Sequence, residues 1–166
     1  MEIERKFLIN NVNNLTLNRF ANKEIIQDYL YVDDFTAIRK RKIIEDKDCI
    51  YTYTVKTNKV GIKVNEIETK ITKEQYENLK INESFNQISK TRYIIPYKDN
   101  LKIELDVFHE KYEGIIFAEI EFESEGQAKN TELPTWFGKE LSYNITNSEM
   151  AIKPVSNILG KIQNNS

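Results

Sequence analysis

The sequence predicts a mainly β domain, an antiparallel sheet or barrel with three modest helices. Apolar and polar residues alternate with a period of two through eight segments of strand length, and short turns join most of these segments. β-branched and aromatic residues crowd the same segments, whereas glycine and proline number only five and three. Many strands with few helices indicate antiparallel pairing, because parallel strands would each need a long crossover between them.

The alternation places strands at 2–9, 25–32, 36–44, 50–57, 63–71, 88–97, 101–109 and 115–123. Thr72-Lys73-Glu74-Gln75 is a capping box, in which the Thr hydroxyl and the Gln amide each satisfy the other's backbone N–H, and it opens a helix to about Ile81. Ser124-x-x-Gln127 and Thr146-x-x-Glu149 predict two further helix starts. There is no repeat, low-complexity run or linker, so 166 residues fit a single domain over 1–166.

Composition excludes several classes of function. No run approaches the ~18 consecutive apolar residues of a membrane span, and Met1 to Lys6 lacks the apolar stretch of a signal peptide. The single cysteine, Cys49, permits no internal disulfide, which suits the cytoplasm. With 24 basic and 26 acidic side chains there is no general basic field for nucleic acid. In Arg39-Lys40-Arg41-Lys42, alternation sends Lys40 and Lys42 to one face and Arg39 and Arg41 to the other.

The polar faces carry the chemical signal. Glu2, Glu4 and Lys6 oppose Ile3 and Phe7; Lys102, Glu104 and Asp106 oppose Ile103, Leu105 and Val107; Glu119, Glu121 and Glu123 oppose Ile120 and Phe122. Thr52, Thr54 and Lys56 share a face, as do Glu66 and Glu68, and Lys90 and Arg92. A solvated sheet face would explain one such strand. Pairs of like charge at i and i+2 repel, and an ordinary wet face mixes signs. Acid pairs beside basic pairs suit a site that holds divalent cations and a polyanion together: carboxylates take hard cations such as Mg²⁺ or Mn²⁺, while Arg and Lys take phosphate oxygens.

Glu2-Ile3-Glu4-Arg5-Lys6 matches the ExExK signature that opens CYTH domains, the triphosphate tunnel metalloenzymes. Further segments resemble that family in order: Gln27-Asp28-Tyr29-Leu30, Arg39-Lys40-Arg41, Thr54-Val55-Lys56, Glu66-Ile67-Glu68, Lys90-Thr91-Arg92-Tyr93, Glu104 to Phe108, Ala118 to Phe122 and Leu133 to Gly138. The resemblance implies an eight-stranded antiparallel β-barrel tunnel with a charged interior and a few outer helices, and a linear triphosphate as ligand. Relatives include inorganic tripolyphosphatases, thiamine and messenger RNA triphosphatases and class IV adenylyl cyclases, so the expected reaction is metal-dependent hydrolysis of a terminal phosphoanhydride, with cyclisation of ATP or non-catalytic polyphosphate or nucleotide binding as alternatives. Relatives often form dimers, so a homodimer is a further expectation.

By resemblance Lys6, Arg39, Arg41, Lys56, Lys90 and Arg92 would grip phosphate oxygens, and Glu2, Glu4, Glu66, Glu68, Glu104, Asp106, Glu119 and Glu121 would hold Mg²⁺ or Mn²⁺. Lys90 and Tyr29 are the candidates to activate water. Tyr29 shares the parity of Gln27 and Tyr31, and Lys90 has a cationic neighbour in Arg92 that would lower its pKa. Val64 stands where the family usually has an inward arginine; Lys63 has the wrong parity to replace it unless Gly61 introduces a bulge, and Lys153 lies within reach of the tunnel mouth. His109, at a strand end, and Cys49, in a turn without a His partner, are outside this set.

Overall fold

A computed structural model describes residues 1–142 and 145–165. Its eight strands are β1 (Glu2–Leu8), β2 (Ala21–Val32), β3 (Thr36–Glu45), β4 (Asp48–Val60), β5 (Lys63–Ile71), β6 (Ile88–Pro96), β7 (Lys102–Phe108) and β8 (Ile116–Glu121). They close into an antiparallel barrel in the order β1-β5-β4-β3-β2-β6-β7-β8. Closure removes the exposed sheet edges that an open sheet of this length would present. The β1–β5 seam is short, with Glu2 opposite Val64 and Ile3 opposite Lys63. Beyond it the returning chain continues the pairing, through Leu8 N to Lys139 O at 2.8 Å and Leu141 N to Lys6 O at 2.7 Å. Gly138 permits this approach, because a Cβ there would collide with the Leu8 carbonyl oxygen.

Strand alternation divides the apolar residues into two cores. Outside the barrel, Ile3, Phe7, Ile103, Leu105, Ile120 and Phe122 are buried. They lie beneath the 9–20 segment, α2 (Glu125–Asn130) and the Trp136-Phe137 pair. Burial of each large side chain contributes about 1.5–3 kcal/mol. Inside, Leu8, Tyr29, Ile88, Phe108 and Phe117 fill one end of the bore. That end is sealed by Ile145 and by α3 (Asn147–Ile152) and α4 (Val155–Asn165), through Met150, Ala151, Ile158 and Ile162.

The expected eight-stranded antiparallel barrel with a charged interior and a few helices is present, and one end of its bore is in addition filled by this apolar plug. α4 was not anticipated, although Pro154 precedes it and Val155, Ile158, Leu159 and Ile162 follow the i, i+3, i+4, i+7 pattern. Its Asn, Ser and Gln content obscured that stripe. α1 (Lys73–Asn78) carries the predicted capping box but ends before Ile81, as Leu79 turns to an extended conformation. Lys40, outward as alternation requires, donates to the Tyr76 and Leu79 carbonyls at 2.9 and 2.7 Å and lies over the Tyr76 ring. A register shift between Tyr29 and Tyr31 breaks their shared parity, so Tyr29 is buried in the bore while Tyr31 is half exposed and donates to Asp33.

Candidate functional site

Above the plug lies a cavity of about 550 Å³. Six of the predicted site residues line it: Glu2, Glu4 and Lys6 from β1, Tyr29 from β2, Arg39 from β3 and Lys56 from β4. Their convergence follows from register. Arg39 is opposite both Tyr29 and Thr54, Lys56 is opposite Glu66, and Lys6 is opposite Glu119. Residues that pair directly across antiparallel strands share a face, so one inward residue on each strand makes its neighbours inward.

The carboxylates here meet one another as well as cations. Lys56 Nζ lies 3.1 Å from both Glu2 Oε2 and Glu66 Oε2. Burial, with a hydrogen bond to Glu66, raises the Glu2 pKa to about 9, so Glu2 keeps a proton that it shares with an ionised Glu66. Glu4 behaves oppositely. Burial would raise its pKa, but hydrogen bonding with Glu119, the charges of Lys56 and Lys6 and hydrogen bonding with Glu2 outweigh it and hold Glu4 well below the usual carboxylate range. Glu119 sits at the junction, 3.9 Å from Lys6 Nζ and 3.6 Å from Arg92 Nη2. Among the described residues, Glu119 Oε1 and Arg39 Nε are buried without a hydrogen-bond partner.

A second cluster, also inward, does not line the cavity. Asp106 is fully buried on β7 and accepts from Lys90 Nζ, Arg92 Nε and Arg92 Nη2, each at 2.7 Å. Its two oxygens are thus committed to cations, which makes it an anchor for Lys90 and Arg92 ahead of a metal ligand. Burial lowers the Lys90 pKa to about 7, with Asp106 opposing the shift and Arg92 and Arg41 adding to it. Arg92 also pairs with Glu104. Arg41 donates to Gln27 Oε1 at 2.5 Å, and Gln27 Nε2 donates to the Tyr29 hydroxyl oxygen at 2.7 Å. Accepting from Gln27 leaves the Tyr29 O–H free to donate. Glu68 and Glu121 are exposed away from the cavity; the Glu121 pKa is raised by burial of its carboxyl and by Glu104 and Glu66.

Among the described residues no three acidic, histidine or cysteine side chains converge into a ready-made metal cluster. The carboxylates form a chain of neighbours, Glu66 beside Glu2, Glu2 beside Glu4 and Glu4 beside Glu119. That suits a cation such as Mg²⁺, which takes one or two protein carboxylates and completes its shell with phosphate oxygens and water.

Sequence reasoning missed Gln27 as the link between Arg41 and Tyr29; its inward parity was the available signal. It also missed Glu149, which lines the cavity and pairs with Lys153 at 3.3 Å. Lys153 does reach the mouth. Lys63 points away and pairs with Glu125 at 2.8 Å, so it does not stand in for an inward charge at Val64. His109 lies outside the cavity, 2.7 Å from the Thr91 hydroxyl.

A closed antiparallel barrel whose interior sets lysines and arginines against carboxylates defines a barrel protein with a charged internal cavity. The chain belongs to the CYTH domain family, which it matches over residues 1–151. It is 32% identical over 142 residues to an inorganic triphosphatase of Nitrosomonas europaea, covering 85% of this chain and 89% of the relative. Among solved structures it is similar to the inorganic triphosphatase NE1496, at 29% identity and a TM-score of 0.63 over 93% of this chain and 96% of that one. The fold alone is shared with the PH1012 protein of Pyrococcus horikoshii, at 22% identity and a TM-score of 0.57 over 78% and 84% of the two chains.

Proposed function

We propose that this protein hydrolyses the terminal phosphoanhydride of a linear triphosphate, inorganic tripolyphosphate foremost, with Mg²⁺ or Mn²⁺ as cofactor. The observation that carries this reading is one cavity faced by Lys6, Arg39 and Lys56 and by the carboxylates Glu2 and Glu4. The similarity to an inorganic triphosphatase supports it. Lys6, Arg39 and Lys56 bind non-bridging oxygens and oppose the charge that develops as the bond to the leaving phosphate lengthens. Arg41 and Arg92 add positive potential from below. Glu2, Glu4, Glu66 and Glu119 would hold the cation, whose bound charge would offset that of the phosphates and acidify a water for attack. Tyr29, its oxygen already engaged by Gln27, donates its O–H to a phosphate oxygen or to the attacking water. Lys90 acts through Asp106 and Arg92, as a positioning residue. The whole chain, 1–166, is one domain in this reading, since Ile158 and Ile162 beyond the family match complete the plug. No helix among the described residues is long and apolar enough to cross a membrane.

The test is product identification from tripolyphosphate, ATP and thiamine triphosphate with either cation. Orthophosphate release from tripolyphosphate is expected, and cyclic AMP as the principal product from ATP would overturn the assignment. Chain length should matter too. Cations on several strands satisfy three phosphates better than two, so kcat/KM for pyrophosphate should be at least about tenfold lower, a difference of ~1.4 kcal/mol. Equal values would sink the extended-chain reading.

The proton on Glu2 yields a second expectation. A cation that takes the Glu2–Glu66 pair must displace it, because a protonated carboxyl is a poor ligand. Below the raised Glu2 pKa of about 9 the proton is bound and competes, so apparent Mg²⁺ affinity should rise with pH between 6 and 8 by up to about tenfold per unit. Titration calorimetry at pH 7 in two buffers of different ionisation enthalpy measures the released proton; identical heats would remove the shared proton from the site.

A further inference from the structure

We infer that Lys59 is a phosphate-binding residue of this cavity, delivered to it by a bulge at the tip of the β4–β5 hairpin. The strand pattern alone assigns it elsewhere. Thr52, Thr54 and Lys56 alternate inward, so an unbroken strand would turn Asn58 inward and Lys59 outward. The register instead shifts between Thr57 and Val60, and Asn58 takes the left-handed conformation at φ 53°. One extra residue reverses the parity beyond it. Asn58 N donates to the Phe35 carbonyl at 3.1 Å, which ties the tip to the neighbouring hairpin and fixes the bulge. Lys59 thereby lines the same cavity as Lys6, Arg39 and Lys56.

Its surroundings suit an anion. The Lys59 ammonium donates to the Ser142 carbonyl at 3.3 Å, a bond that uses one of three protons, and no carboxylate lies within 4 Å among the described residues. Although the side chain as a whole is exposed, its charged end loses water against the cavity wall. That loss and the Lys6 charge lower its pKa, with Glu4 opposing and Lys56 adding to the shift. Gathering like charges is unfavourable unless an anion binds among them. Val64, on the adjacent strand, also lines the cavity and carries no charge, and Lys59 adds a cation to that lining.

This inference rests on the triphosphate reading of the same cavity, and direct binding separates the two. Lys59→Ala should raise KM for tripolyphosphate about five- to tenfold with kcat changed less than about twofold, as expected for a contact made equally in ground and transition states. It should weaken metal-free tripolyphosphate binding by a similar factor in calorimetry. Lys59→Arg should recover most of the loss, and Lys63→Ala, on the outer face, should leave both constants unchanged. A Lys59→Ala protein with unaltered KM and binding constant overturns the inference, even if its thermal midpoint falls, since that pattern belongs to a lysine that only braces Ser142. If the wild-type protein fails to turn over tripolyphosphate, the hydrolase reading falls, and Lys59 is then judged by binding alone: weaker binding in Lys59→Ala sustains it, equal or absent binding in both proteins overturns it.

Discussion

Glu4→Gln should lose at least about a hundredfold in kcat on tripolyphosphate under saturating Mg²⁺, a barrier increase of ~2.7 kcal/mol. Glu4 is the ionised member of the cavity's acid set, because Glu119, Lys56 and Lys6 hold its pKa near 2 against the effect of burial. At neutral pH it therefore offers a full negative charge, which the isosteric amide cannot supply to a hard cation. The amide fills the same space between β5 and β8, so the barrel should still close. Attraction to Lys6 and Lys56 is lost, however, and the thermal midpoint should fall modestly. A carboxylate with a lowered pKa stabilises the fold above its unfolded value of 4.5, and that contribution fades as pH drops toward 2. The Glu4→Gln deficit in stability should accordingly be present at pH 7 and vanish near pH 2. Chelation of metal from the wild-type protein should abolish activity at unchanged fold. Full phosphate release by a folded Glu4→Gln enzyme would remove Glu4 from metal binding.

Asp106→Ala should destabilise the protein by about 3–5 kcal/mol, the usual cost of stripping one partner from a buried ion pair. Asp106 accepts three charge-assisted hydrogen bonds from Lys90 and Arg92 with no exposure to water. Without it, two cations and the nearby Arg41 would share one low-dielectric space. Lys90 can escape by releasing its proton, since burial already brings its pKa to about 7. Arg92 cannot deprotonate and retains only Glu104 and the more distant Glu119. For a chain of this size the midpoint in scanning calorimetry should fall by roughly 6–20 °C. Lys90→Met should cost less, because Arg92 still pairs with Asp106. An Asp106→Ala protein as stable as the wild type would show that the cluster is hydrated in solution and contributes little.

Much of this was legible in the chain. Period-two alternation located all eight strands within a few residues, and the like-charged pairs at i and i+2 marked the interior of the barrel, since a strand has only two faces and the other was apolar. The ExExK segment and the ordered motifs after it placed the chain in its family. Local chemistry also announced the capping boxes at Thr72 and Thr146.

The sequence by itself determined which residues share a face, because face is a property of neighbours along one strand. It could not determine how far along the bore each residue sits. Tyr29 and Lys90 both point inward, yet one lines the cavity and the other is sealed below it against Asp106. Depth depends on stagger between strands, on the bulges at Leu30 and Asn58, and on the plug supplied by Ile145, Met150 and Ile158 from the far end of the chain. The Lys59 contact with Ser142, between residues 83 apart in sequence, arises from that same stagger. Only the closed barrel decided these positions, because register is set by the pairing of all eight strands at once, whereas alternation is set within each strand alone.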